Sequence, residues 1–127
     1  MKKVHLILGL VMVVVFLLTG QYMEYVHNRL LPDGARLLYR SRHIYLLLNA
    51  FVNISLGLYV QYSVHGWRRT LQIIGSVLIM IAPGFLLAGF FYEPPRGVEH
   101  TSIAPYGIFA TAIGVTLHLI SHARKGT

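Results

Sequence analysis

Four long apolar stretches occupy most of this 127-residue chain, at residues 4–23, 44–61, 71–91 and 103–120. A helix needs about 17–25 predominantly apolar residues to cross a hydrocarbon core about 30 Å thick. Each stretch is close to that length, and the connections between them are too short to hold another domain. We therefore predict a single membrane domain with an all-α fold, a four-helix transmembrane bundle.

Charged residues are too scarce for a soluble domain of this size. The chain is 55% hydrophobic and 12% charged, with a mean hydropathy of +0.60, whereas about 25% of the residues of a soluble domain are charged. The absence of cysteine excludes disulfides, thiolate metal sites and cysteine nucleophiles. The sequence has no serine, histidine and acid arrangement and no glycine-rich phosphate loop. We therefore do not expect an enzyme.

Basic residues lie next to the predicted spans. The net charge of +7 is dispersed and lacks the clustered patch of a nucleic-acid-binding protein, so we expect membrane lipids and not nucleic acid as partners. Six basic residues fall on the side of the two termini and five on the other side. The positive-inside rule then places both termini in the cytoplasm. The expected location is a cell membrane, the inner membrane of a bacterium.

The first outer connection contains a turn signal, Leu31-Pro32-Asp33-Gly34, in which Asp33 is placed to cap the following helix. No helix breaker follows between residues 35 and 56. Helices 1 and 2 are therefore predicted to extend about 11 Å beyond the bilayer as an outer helical hairpin. Folding the chain about Asp33 places Glu24 opposite Arg42 or His43.

The charged residues of this hairpin allow two interpretations. In the first, charge pairing between Glu24 and the second helix stabilises the hairpin. In the alternative, Arg36, Arg40 and Arg42 hold an anionic lipid headgroup or a substrate carboxylate, because the guanidinium group offers a fork of donors suited to oxyanions.

A metal site at the outer face is a further hypothesis. Glu24 and His27 have the Glu-x-x-His spacing of carboxylate-bridged metal sites in helical bundles. His43, Glu99 and His100 could complete the ligand set. The neighbouring arginines oppose it, since their positive charge disfavours a bound cation.

Polar residues inside the predicted spans mark the bundle interior. Asn49 and Asn53 lie one turn apart on the second span and are predicted to form hydrogen bonds between helices. His118 is an ionisable residue within the fourth span, and such residues commonly mark function. His118 and His43 are accordingly candidate ligands of haem or a quinone.

Two features of the last spans predict close helix packing and a local break. Small residues are spaced four apart in two pairs, Gly84 with Ala88 and Ala110 with Gly114. Pro83 lacks a backbone N–H and is predicted to break the hydrogen-bond ladder of the third helix near Ile79.

These features favour a non-enzymatic accessory or partner-binding subunit, which contacts another membrane protein or a second copy of itself. Three alternatives stay open. The chain could be a redox subunit that binds haem, a metal ion or a quinone through histidines. It could be a small transporter with a polar path along Asn49, Asn53 and His118, or a protein that binds anions or lipids.

Overall fold

A computed structural model of the protein describes residues 1–27, 31–64, 66–96 and 102–123. The described residues form four helices and no strand. The helices are α1 (Lys2–His27), α2 (Asp33–Tyr59), α3 (Trp67–Arg96) and α4 (Ala104–His122). The predicted all-α four-helix bundle is confirmed, and all four helices overrun at least one end of the predicted apolar stretches.

Three helices are long and apolar enough to cross a membrane: Lys2–Val26, Trp67–Pro95 and Ala104–His122. The second helix does not meet that criterion, because its first turns carry charges and its apolar part contains Asn49 and Asn53. Both asparagines are fully buried. From residue 44 onward the exposed large side chains of α2 are apolar or aromatic, as in Leu48 and Phe51.

Consecutive helices pack as two antiparallel hairpins, α1 with α2 and α3 with α4, and packing between α2 and α3 joins the hairpins. In the described residues, the backbones of α1 and α4 do not approach within 8 Å of each other. The two end helices are thus separated by the two central ones. A buried cluster that includes Met12, Leu46 and Phe90 fills the space between α1, α2 and α3.

Glycines allow α3 and α4 to approach closely. A Cβ atom added at Gly114 would lie 2.6 Å from the carbonyl oxygen of Gly75, and one at Gly107 would lie 2.8 Å from the side chain of Leu86. One added at Gly89 would meet Ala104 at 2.8 Å. Such contacts require backbones that touch, as is usual where small residues line membrane helices.

The predicted small-residue pairs are correct on α4 and wrong in part on α3. Gly114 and the buried Ala110 lie in this contact. A Cβ atom at Gly84 would have nothing within 4 Å in the described structure. Gly84 is exposed because the contact face of α3 contains Gly75, Ala82 and Gly89, which are seven residues apart, and a four-residue pattern does not match this spacing.

The predicted register of the α1 and α2 hairpin is wrong by about one helical turn. His43 lies against Thr19 and Gly20 instead of Glu24. The physical reason is that α2 already begins at Asp33, so the centre of the connection precedes this residue. Asp33 is also not the cap. Pro32 holds the N-cap position, and no side-chain hydrogen bond caps the helix.

Candidate functional site

Asn49 links three helices in the middle of the bundle. Its Nδ2 atom donates to the Oγ1 atom of Thr111 on α4 at 3.1 Å and to the carbonyl oxygen of Ile79 on α3 at 3.4 Å. The helix continues through Pro83, but proline has no N–H to donate to the carbonyl four residues earlier. The predicted break is therefore a single missing hydrogen bond in a continuous helix. Asn49 donates to the carbonyl oxygen of Ile79, which this leaves without a helical donor.

Asn53 connects this group to α1. Its Nδ2 atom donates to the Oδ1 atom of Asn49 at 2.9 Å, and its own Oδ1 atom lies 2.7 Å from Nδ1 of His5. Asn53 and His5 are both fully buried. We call His5, Asn53, Asn49 and Thr111 the asparagine network, and it contacts all four helices. Asn49 and Asn53 thus both take part in hydrogen bonds between helices.

A second group, the serine network, lies nearer the ends of α2 and α4. It consists of Tyr62, Ser76 and His118, and it joins the connection after α2 to α3 and α4. The hydroxyl oxygens of Tyr62 and Ser76 are 2.6 Å apart, and Ser76 Oγ is 3.1 Å from Nε2 of His118. Burial raises the pKa of the Tyr62 phenol, which therefore stays protonated at neutral pH.

Gln72 holds the connection between α2 and α3 in place. It is 1% exposed. Its Nε2 atom donates to the carbonyl of Gln61 at 3.2 Å, and its Oε1 atom accepts from the backbone N–H of Ser63 at 2.8 Å. Sequence reasoning missed Gln72 and Ser76. The signal was present, since these two polar residues lie one turn apart in an otherwise apolar run.

Glu93 and Arg42 form a clamp at the opposite end of the bundle. The Oε2 atom of Glu93 lies 2.5 Å from Nε of Arg42, and their side chains are 6% and 12% exposed. The Oε1 atom accepts from the backbone N–H groups of Ile103 and Ala104, the latter at 2.6 Å. One carboxylate thus pairs with α2 and satisfies free N–H groups at the start of α4, where negative charge is favourable.

The three candidate anion-binding arginines have different environments. Arg42 forms an ion pair with Glu93. The prediction that Glu24 faces Arg42 is therefore wrong. Arg40 is exposed. Arg36 is half-buried, and its Nε atom has no hydrogen-bond partner among the described residues. Arg36 and Arg40 lie one turn apart on α2, so they share a face.

The candidate metal ligands are not brought together in the described part of the chain. Glu24 is exposed. His43 stacks on Phe16 with ring centroids 4.0 Å apart, and its Nδ1 atom lies 3.1 Å from the hydroxyl of Thr19. Glu99, His100 and the side chain of His27 lie outside the described residues. No group of three or more potential ligands is close enough to hold a metal ion among the residues described.

The two candidate haem or quinone ligands lie in opposite halves of the bundle. His43 is six residues before Asn49 on α2, and His118 is seven residues after Thr111 on α4. Asn49 and Thr111 are bonded to each other, and α2 and α4 run in the same direction. At 1.5 Å per residue, the histidines are separated by roughly 20 Å along the axis, so one cofactor could not bind both.

Comparisons with known proteins give no match. No family model, no curated protein and no solved structure matches the chain. Its function is therefore inferred from its own residues.

Proposed function

We propose that this protein is a non-enzymatic accessory protein of a membrane and that it binds another membrane protein, or a second copy of itself, through α1. The proposal rests on one observation: the side-chain amides inside the predicted spans form hydrogen bonds within the bundle. Asn49 and Asn53 are fully buried and bonded to the other helices. Their polar atoms hold the fold together and are not presented to a substrate.

Among the three helices that meet the length and hydropathy criterion, the first has the smallest buried share. Only 22% of its span residues are buried, against 44% in α3 and 33% in α4. Seven apolar side chains between residues 4 and 18 are each at least 50% accessible: Val4, Ile7, Leu10, Val11, Val14, Leu17 and Leu18. Within the bundle it packs mainly against α2. A partner helix can therefore pack along α1 without displacing any part of the bundle.

A crossing by α2 is part of the same proposal. Its buried asparagines lower its mean hydropathy, but the exposed residues after position 43 are mostly apolar, as in Ile44 and Leu58. Four crossings put both termini on one side. We place them in the cytoplasm, in a bacterial inner membrane, with the start of α2 and its arginines outside.

Cysteine crosslinking tests the partner surface, because the chain has no other cysteine to compete with an introduced one for the reagent. Leu17→Cys and Phe109→Cys are a matched pair, 60% and 65% exposed on α1 and α4. With a thiol-reactive photocrosslinker in native membranes, Leu17→Cys should give a defined higher-mass adduct, which mass spectrometry then identifies. Equal labelling of the two positions, with only lipid attached, would contradict the proposal.

Topology is tested with single cysteines at Lys2 and Asp33. In intact cells a membrane-impermeant maleimide should label Asp33→Cys and not Lys2→Cys. Disruption of the membrane should make both positions reactive. Labelling of Lys2→Cys in intact cells would reverse the orientation.

A second candidate function is the binding of an anionic lipid headgroup at Arg36 and Arg40. The buried Arg36 Nε atom without a described partner supports it, since arginine binds phosphate oxygens through several donors. Native mass spectrometry should detect less bound anionic lipid in Arg36→Gln and Arg40→Gln than in Arg68→Gln, the control at the other end of the bundle. Equal lipid occupancy in all three variants would count against this site.

The redox and transporter alternatives have less support. The Nε2 atom of His118 contacts Ser76, and the Nδ1 atom of His43 contacts Thr19. The amides of Asn49 and Asn53 are likewise bonded to protein. Ligand or ion binding at these atoms would have to replace existing hydrogen bonds, whereas the Nδ1 atom of His118 has no hydrogen-bond partner among the described residues.

A further inference from the structure

The exposed residues of α1 recur every seven positions along the helix. One row falls at positions 4, 11, 18 and 25, and a second row falls at positions 7, 14 and 21. Spacings that alternate between three and four residues are those of the a and d positions in a coiled coil. We call the residues of these two rows the α1 seam, which consists of Val4, Ile7, Val11, Val14, Leu18, Gln21 and Tyr25.

The buried face of α1 follows the same repeat. His5, Met12 and Thr19 are seven residues apart and are 0%, 2% and 4% exposed. His5 contacts Asn53 and Thr19 contacts His43, both on α2. A helix that packs through a seven-residue repeat on one side presents the same repeat on its other side. A second helix can therefore pack along the α1 seam in the left-handed geometry of most membrane bundles.

One flank of the α1 seam has grooves, and the other flank carries leucines. On the side of α3 lie two open apolar grooves, one of about 500 Å³ beside Val11 and one of about 300 Å³ beside Leu18 and Phe91. On the opposite flank, Leu10 and Leu17 are 54% and 60% exposed. In a parallel, symmetrical pair of helices, each flank faces the opposite flank of the partner. The leucines of one copy would then face the grooves of the other.

Gln21 is an amide in this otherwise aliphatic and aromatic seam. It lies within the apolar span Lys2–Val26, it is exposed, and within the described part of the chain it forms no hydrogen bond. Lipid tails offer no hydrogen-bonding group, so an amide at this depth is satisfied by a polar group of another helix. An identical amide is a suitable partner, because each has both N–H donors and a carbonyl acceptor.

We propose that the partner of α1 is a second copy of this chain, with the two α1 helices parallel and packed along their seams and the two Gln21 amides hydrogen-bonded to each other. This inference rests on the proposed function and names the partner. Two copies inserted in the same direction are related by a two-fold axis along the membrane normal. Each seam residue then lies at the same depth as its counterpart, and Gln21 meets Gln21.

The α1 seam is large enough for such a dimer. The helix has 26 residues, which at 1.5 Å per residue gives a length of about 39 Å. Two seams with their flanks together bury on the order of 1,000 Å², the area at which specific protein interfaces begin. Helices in lipid associate through close packing and hydrogen bonds, and the seam supplies both.

Disulfide formation between single cysteines in native membranes tests the arrangement. Val11→Cys and Ile113→Cys are a matched pair, 50% and 51% exposed on α1 and α4. With a mild oxidant, Val11→Cys and Leu18→Cys should each give a reducible product of twice the chain mass, and Ile113→Cys should stay monomeric. Equal dimer formation at Val11 and Ile113 would overturn the proposal.

The same experiment separates this inference from the proposed function. Capture of a different protein by Leu17→Cys, with no disulfide at any seam position, would overturn the second copy as partner and leave a partner surface on α1. Loss of both signals would overturn both. A disulfide between Val4→Cys in one copy and Tyr25→Cys in the other, with none between identical positions, would show antiparallel helices and likewise overturn the proposal.

Substitution of Gln21 tests the amide contact. Gln21→Leu should lower the association constant of the dimer about 3- to 30-fold, the range expected for hydrogen bonds between membrane helices. Energy transfer between labelled copies in lipid bilayers measures this constant. Thr116→Val removes an exposed hydroxyl of α4 that is bonded only to its own helix, and it should leave association unchanged. Unchanged association in Gln21→Leu would show that the two amides do not meet.

Discussion

The side-chain amide of Asn49 donates to the carbonyl oxygen of Ile79 at 3.4 Å, and this is the carbonyl that Pro83 leaves without a helical donor. A proline inside a membrane helix is tolerated when a neighbouring group bonds to the freed carbonyl. Here that group is the side-chain amide of Asn49 on α2. The proline of α3 and the asparagine of α2 therefore stabilise one another's position.

A double-mutant cycle should detect this relationship. Asn49→Ala should lower the free energy of unfolding by about 1–2 kcal/mol, since hydrogen bonds between membrane helices are of this order or weaker. In a Pro83→Ala background, residue 83 regains its N–H and Ile79 no longer depends on Asn49. The loss caused by Asn49→Ala should then be smaller by about 0.5 kcal/mol, measured by reversible unfolding in mixed micelles. Strict additivity would show that the contact is energetically unimportant.

Two glycine substitutions in α3 and α4 should have opposite outcomes. Gly114→Ala places a Cβ atom 2.6 Å from the Gly75 carbonyl oxygen and 2.5 Å from Ile79. The two helices must separate, and we expect a loss of about 1–3 kcal/mol in unfolding free energy, as for other overpacked sites. Gly84→Ala meets no described residue within 4 Å and should be neutral or stabilising by up to about 1 kcal/mol through helix propensity. Equal destabilisation by both would contradict the described packing of the two helices.

Removal of the Glu93 carboxylate should loosen the end of the bundle where α4 begins. Glu93→Ala leaves Arg42 and two backbone N–H groups without their acceptor, and we expect a loss of about 3–5 kcal/mol, as for other broken buried pairs. Glu93→Gln keeps an acceptor for Ile103 and Ala104 and should be less damaging. Glu24→Gln, the matched change of an exposed carboxylate, should change stability by less than about 0.5 kcal/mol.

Ionisation of Tyr39 should destabilise the protein at alkaline pH. Burial, with a smaller effect of hydrogen bonding to Tyr22, raises the pKa of Tyr39 to about 12, above the ordinary value near 10. The folded state therefore holds this proton more tightly than the unfolded state. The resulting stabilisation is complete below about pH 10 and is lost as the pH rises toward about 12.

Phenolate absorbance and unfolding measured across this range provide the test. Tyr39→Phe should remove one late-titrating tyrosine and reduce the alkaline loss of stability. Tyr106→Phe, which changes a tyrosine 61% exposed, should leave both curves as in the unaltered chain. Titration of Tyr39 near pH 10 would contradict its described burial.

Some elements of the site were predictable because they depend on local chemistry. The four-residue spacing of Asn49 and Asn53 predicts a common face at any packing geometry. The missing N–H of Pro83 identifies Ile79 as the carbonyl without a donor, since the backbone ladder connects residues four apart. Neither pattern identifies the partner, because a partner on another helix depends on how the helices rotate and slide.

The register of the hairpin was less predictable for the same reason. A helix hairpin can shift by one turn while its apolar faces stay in contact, so the position of His43 against Thr19 instead of Glu24 depends on packing. Glu93 illustrates a different limit. Its sequence neighbours Pro94 and Pro95 indicate only a helix end, whereas its role depends on Arg42, 51 residues earlier in the chain.

The sequence by itself determined the helical class, the approximate extent of the apolar stretches and the polar faces within them, because these follow from residue type and spacing along one helix. Tertiary structure decided which polar atoms meet. It joined Asn49 to Ile79, Arg42 to Glu93, and His5 to Asn53, and it left one nitrogen of His5 and one of His118 without a partner among the described residues. Those outcomes depend on distances between helices, and a spacing pattern along one helix does not contain them.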